Sequence, residues 1–282
     1  MPLTRKSLLL TAALATLATL PAQAQDALKK IQTAGTVSVG FPNQVPYAYA
    51  DPSGALTGAD AEIARLVFAR MGIKTVDGVL TEFAALIPGL RASRFDTVLA
   101  MFVTPARCAQ VRFSEPIYAI GQGMIVKSGN PAAITSYDDL VKKPLRLAIM
   151  AGAAQAGYAK ALGIPEDRIV AFPDGPSAAA AVAAGRADAF GISDLPARRL
   201  LATAGPNSGL QLVPNFPAPV IDGRPARGYD AFAFRPADAD LAQAFDKALA
   251  ELKQTPEFLA AMAPFGFDAS NLPDRTTESL CH

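Results

Sequence analysis

The sequence is almost without histidine and wholly without tryptophan: its one histidine in 282 residues is His282, the last of the chain. A frayed chain end is a poor place for catalysis. That count excludes nucleophile–histidine pairs. With only two cysteines, metal centres built on histidine or cysteine clusters are excluded too. Excess charge is also missing. A formal net charge of +1 gives no reason to expect nucleic acid or an anionic membrane as a partner. Apart from Leu8 to Leu20, no apolar run approaches the length of a membrane span. What is plentiful is apolar surface: 51% of residues are hydrophobic, inflated by alanine, which is ample for one or two cores.

The N-terminus explains its own apolar run. Arg5 and Lys6 precede it, and Ala22-Gln23-Ala24 follows. That is a secretory signal, residues 1–24, cleaved after Ala24. No cysteine lies near the cleavage site, so a lipid anchor is not indicated. Export places Cys108 and Cys281 in an oxidising compartment, where an even pair predicts one disulfide. Two free thiols are the alternative.

Past the signal, strand and helix patterns alternate. Thr36 to Phe41 and Val76 to Leu80 read as strands, and Asp96 to Ala100 as a buried one ending at Met101 and Phe102. Thr57 to Gly72 carries Ile63, Leu66, Val67 and Met71 at helical spacing. Asp60 and Glu62 suit the start of that helix through its dipole better than they suit a catalytic acid pair. Further strands fall at Gly121–Val126, Leu145–Met150, Arg168–Phe172 and Gly228–Phe234. Helices are expected over Gln155–Leu162, Ser177–Gly185 and Leu195–Ala204, with Pro173 to Pro176 as a turn. Such alternation predicts an α/β chain with parallel sheet.

The stretch Phe95 to Tyr118 reads FDTVLAMFVTPARCAQVRFSEPIY. A strand ends at Phe102. Thr104-Pro105 then opens a helical turn whose first residues include Arg107. A helix N-terminus offers free N–H groups, and a guanidinium fork matches a carboxylate. Open α/β sheets place ligands at strand C-termini, so Phe102 and Arg107 are candidates for an aromatic wall and an anion clamp.

The same wording, F-D-x-x-x-A, T-P-x-R and F-S-x-P-x-Y, resembles the family 3 solute-binding proteins, the polar amino acid receptors of ABC importers. T-G-A-D-A-E-I-A resembles that family's G-F-D-x-D-[LI]-A signature, with Ala59 for Phe and Glu62 for the second Asp. The resemblance implies the two-lobe type II periplasmic-binding fold: each lobe a mostly parallel sheet flanked by helices, joined by two crossovers. It places the first lobe at residues 25–122 and 231–282 and the second at 123–230. It also implies a periplasmic receptor, not an enzyme, without cofactor, handing a small zwitterion to ABC permease subunits of the inner membrane.

Within the family, L-I-P-G-L, the P-x-R-C turn, P-D-G-x-S, P-F-G-F and a terminal L-C are similar to the ectoine- and hydroxyectoine-binding proteins. Carried over by position, Arg107 would grip a carboxylate, with Thr104 in the same turn. Tyr47, Phe83 and Phe102 would box a delocalised cation. Gly152 and Ala153 would form a second anion-contacting loop, and Gln44 would face the ligand. Two departures stand out: Gln44 replaces an acid, and Ala153 replaces a hydroxyl residue. Amino acid receptors carry an aspartate at the place of Ser193, whereas here Asp194 follows one residue later. The alternatives are a polar amino acid receptor and, further off, a cleft dehydratase of the same fold.

Overall fold

The structure is a computed structural model that describes residues 27–221 and 223–282. The signal segment and its cleavage after Ala24 lie outside the described residues. Among those residues, no helix is long and apolar enough to cross a membrane.

Two sheets organise the chain. In the first, Thr36–Phe41 lies between Thr75–Leu80 and Thr97–Phe102 and pairs parallel with both. In the second, Leu147–Met150 lies between Ile169–Phe172 and Ala189–Ser193, again parallel. The chain passes from the first sheet to the second between Tyr118–Ile120 and Gln122–Lys127. It returns through Gly228–Phe234, which pairs antiparallel with Thr97–Phe102. Each sheet therefore has a parallel core of three strands with an antiparallel crossing strand beside it. The crossing segments enter from the opposite lobe and must run against the strands they join.

The first sheet is covered on both faces. Helix Ala59–Arg70 buries Ile63, Val67 and Phe68 beneath helix Ala239–Lys253. Phe245 of that second helix packs its ring 5.3 Å from Phe68 and 4.6 Å from Phe232. Full burial of such a ring contributes about 1.5–3 kcal/mol. On the other face Leu86, Leu90, Phe95 and Phe113 gather with Leu280 of the C-terminal helix Thr277–Cys281. That helix is held by a disulfide between Cys108 and Cys281, with Cα atoms 5.7 Å apart.

The second lobe differs in one place from the sequence expectation. The stretch Pro173 to Pro176 is not a free turn, because helix Gly175–Ala183 begins inside it. Asp174 caps that helix, its carboxylate accepting from the Ser177 N–H at 2.7 Å. Pro176 costs nothing there because first-turn N–H groups have no helical partner. Small hairpins, Tyr49–Ala50 with Leu56–Thr57 and Val220–Ile221 with Arg224–Pro225, decorate the lobes.

Candidate ligand cleft between the two sheets

Both sheets reverse strand order beside their central strand, and open α/β sheets bind ligands outside strand C-termini at such a point. Here the two switch points face each other. A cavity of about 760 Å³ opens between them, lined by Gln44, Tyr47, Phe83, Phe102, Arg107, Ala153 and Ser193 among others. Each of these follows or ends a parallel strand of one sheet or the other. The cavity runs on over the Gly175–Ala183 and Asp194–Ala204 helices, past Ala180 and Thr203, which are exposed.

Arg107 is the centre of the cleft. Thr104 caps the short helix Pro105–Cys108, with Pro105 at its first position, and this fixes where Arg107 starts. The side chain is only 7% exposed. Nη1 donates to the Phe102 carbonyl at 2.6 Å, and Nη2 donates to the Gly152 carbonyl at 2.8 Å. The second bond crosses from one lobe to the other. The guanidinium carbon lies 5.3 Å from the centre of the Phe83 ring. Burial brings the Arg107 pKa down to about 10, opposed by Tyr158 and Asp230, and leaves the group charged at neutral pH. A guanidinium has five N–H donors, so two carbonyl bonds leave donors for a carboxylate.

The aromatic residues divide into two roles. Phe83 lies against Arg107, whereas Tyr47 and Phe102 meet edge to face with centroids 6.1 Å apart. Phe102 has its place because residue 228 is glycine: a Cβ there would stand 2.3 Å from the Phe102 ring. Tyr47 is buried and stacks on Tyr118 at 5.6 Å. Burial raises the Tyr47 pKa well above its ordinary value, while the Ser193 side chain across the cleft pulls it down.

Gly152 adopts φ +77°, a conformation that favours glycine. A Cβ on it would come 3.3 Å from the Ala84 Cα, so the lobes approach closely here. Thr104 does not line the cleft, and its hydroxyl accepts from the Arg107 N–H at 3.4 Å. Asp194 also stays out: it pairs with Arg198 at 2.9 Å on its own helix. The acids that do line the cavity, Glu82 and Asp174, are both exposed. Gln155 lines it as well, its amide donating to Gln122 at 3.0 Å.

Sequence reading missed what stands behind the wall. Asp60 and Asp230 are fully buried, and neither carboxylate makes a hydrogen bond of ordinary geometry to the protein. A signal existed for Asp230, an acid inside the otherwise apolar strand GYDAFAF. Asp60 and Glu62, adjacent in the motif, part company: Glu62 turns outward to Arg65.

Two lobes of mixed sheet, two crossovers and a cleft between facing switch points define the type II periplasmic-binding fold. The chain belongs to the bacterial extracellular solute-binding proteins, family 3, whose family model matches residues 22–266. It is 38% identical over 260 residues to a probable amino-acid ABC transporter periplasmic-binding protein, y4tE, of Sinorhizobium fredii, covering 90% of this chain and 85% of that one. It is 28% identical to the lysine/arginine/ornithine-binding periplasmic protein of Escherichia coli, over 78% of this chain and 83% of that one. Among solved structures it is similar to EhuB in complex with hydroxyectoine. The TM-score is 0.83 at 30% identity, over 92% of this chain and 99% of that chain.

Proposed function

We propose that this protein is the periplasmic receptor of an ABC importer for a small zwitterionic compatible solute, ectoine or hydroxyectoine. It would hand that solute to permease subunits of the inner membrane. The observation that carries the reading is the buried Arg107 guanidinium, backed by Phe83 and set beside the Tyr47–Phe102 pair. Arg107 takes the carboxylate. Tyr47 and Phe102 offer their faces to a delocalised, weakly hydrated cation. Gln44 accepts or donates a hydrogen bond without adding charge, and Gly152, Ala153 and Ser193 close the site from the second lobe. The likeness to a hydroxyectoine complex supports this ligand class.

A polar amino acid is the second reading, favoured by the names of the curated relatives. Against it stands Asp194, which an α-ammonium would need and which pairs with Arg198 instead. A receptor fits the cleft better than a catalyst does, because Asp60 and Asp230 lie behind the wall and not in the cavity. We place the lobe boundaries at residues 122 and 230, and the mature N-terminus at Gln25. Intact mass of the periplasmic protein checks the latter. A thermal-shift screen tests the ligand: ectoines should raise the melting temperature by mass action, and polar amino acids at equal concentration should not. A shift with amino acids alone would replace the first reading with the second.

A further inference from the structure

We propose that Asp60 and Asp230 form a proton-sharing carboxyl dyad that acts as the negative pole of the cleft, answering a ligand's cation through the Tyr47–Phe102 wall. The proposal rests on the reading that such a cation settles on that wall.

The dyad is tied to the wall at two points. Asp230 is the register partner of Phe102 on the neighbouring antiparallel strand, and directly opposed residues of such a pair project to the same face. The Asp60 backbone N–H donates to the Tyr47 carbonyl at 3.0 Å. Behind Tyr47, the stacked Tyr118 turns its hydroxyl toward both carboxyls. All of these side chains are buried. The carboxylate oxygens and both tyrosine hydroxyls lack a protein partner of ordinary hydrogen-bond geometry.

Two buried carboxyls that share one tyrosine hydroxyl in an apolar surrounding cannot both ionise cheaply, and one proton between them relieves both desolvation and repulsion. The groups that face the pair are few. Tyr118 reaches both members, the Ala100 N–H serves Asp60, and Arg107 is the cation acting on Asp230. Tyr47 feels both aspartates and Asp194 as well. One guanidinium balances one carboxylate, so the second carboxyl stays protonated until another cation arrives. Burial indeed pushes Asp60 up to about 7 and Asp230 well above its ordinary value. Because Gln44 is neutral and Glu82 and Asp174 are exposed, no other buried negative charge answers a cation here among the described residues. A bound cation favours the doubly ionised pair, and the carboxyl proton then passes to the buffer.

Carbon-detected magnetic resonance of the ligand-free mature protein, labelled at aspartate carboxyls, tests the dyad directly. Two resonances should titrate near or above neutrality. In Asp60→Asn the Asp230 resonance should titrate at lower pH, because the Asp60 charge helps to hold Asp230 up. In Asp230→Asn, read should the first variant fail to fold, Asp60 should titrate in a single step rather than two. Aspartates that all titrate below about pH 5 would overturn the dyad. Calorimetry with ectoine, or with L-arginine should ectoine not bind, tests its link to the ligand. Heats in phosphate and Tris buffers at pH 7 should differ by the release of up to one proton. Affinity should rise with pH by at most about tenfold per unit. Equal heats would overturn the link. If neither compound binds, the proposed function fails, and the resonance titration alone decides the dyad.

Discussion

The Arg107 guanidinium of the first lobe donates to the Gly152 carbonyl of the second at 2.8 Å. One side chain thus serves as a candidate ligand grip and as a latch between lobes. Arg107→Ala should therefore weaken binding by about 2–5 kcal/mol, the usual loss when one partner of a desolvated charge pair is removed. That is roughly 30-fold to several-thousand-fold in affinity. Arg112, exposed on the short strand Arg112–Phe113, provides the control, and Arg112→Ala should bind as the parent does. Phe102→Ala should cost about 1–2 kcal/mol, since a cation–π contact is weaker than a desolvated ion pair. Titration calorimetry of the three variants checks the order. A neutral Arg107→Ala would remove Arg107 from the grip.

Closure is the second expectation. The close approach of Gly152 to Ala84 and the latch describe lobes brought together, whereas capture and release need them to part by a hinge. Scattering should show a smaller radius of gyration with ligand than without it. Tight binding at an unchanged radius would argue for a rigid cleft.

The disulfide carries the third. It joins residues 173 apart in sequence and pins Leu280 into the cluster with Phe83 and Val103. Removing such a link costs about 2–5 kcal/mol. Melting of the Cys281→Ser variant should fall accordingly. Because Cys108 ends the helix that carries Arg107, affinity should fall as well. A variant that loses stability yet binds normally would show that the tail is only a staple.

Much of this frame was legible from residues alone. The strands Thr36–Phe41 and Gly228–Phe234 have the bounds their patterns predict, because alternation and β-branching agree with burial there. Thr104-Pro105 announces a helix start, and a helix starts there. The short strands Tyr118–Ile120 and Arg112–Phe113 were not legible. Two or three residues carry no period, and only pairing with the returning strand makes them strands. The start at Gly175 was hidden because turn residues and helix caps are the same residue types. At the site, spacing pointed to Arg107 and Phe102. It could not show that Arg107 reaches a carbonyl 45 residues on, or that Asp60 and Asp230 are both fully buried, since both depend on how sheets and helices stack.

Stability should carry the mark of the buried acids. The Asp60 and Asp230 pKa values are raised by burial, so folding favours their protonated forms. Their contribution is complete below about pH 4, the unfolded value. The Asp60 part is lost as pH rises through about 7, and the Asp230 part as pH rises through its own raised value. Asp230→Asn should therefore raise the melting temperature more at pH 8 than at pH 5. An equal change at both values would mean that the pair ionises freely.

The cleft should take a small zwitterion with a delocalised cation. Titration calorimetry of the mature protein against ectoine, hydroxyectoine, glycine betaine, proline and the polar amino acids tests it most directly. One-to-one binding of ectoine or hydroxyectoine, at least about 100-fold tighter than any amino acid in the panel and so about 2.7 kcal/mol stronger, is the expected result. Tight binding of lysine, arginine or another polar amino acid, with no heat from either ectoine, would contradict it.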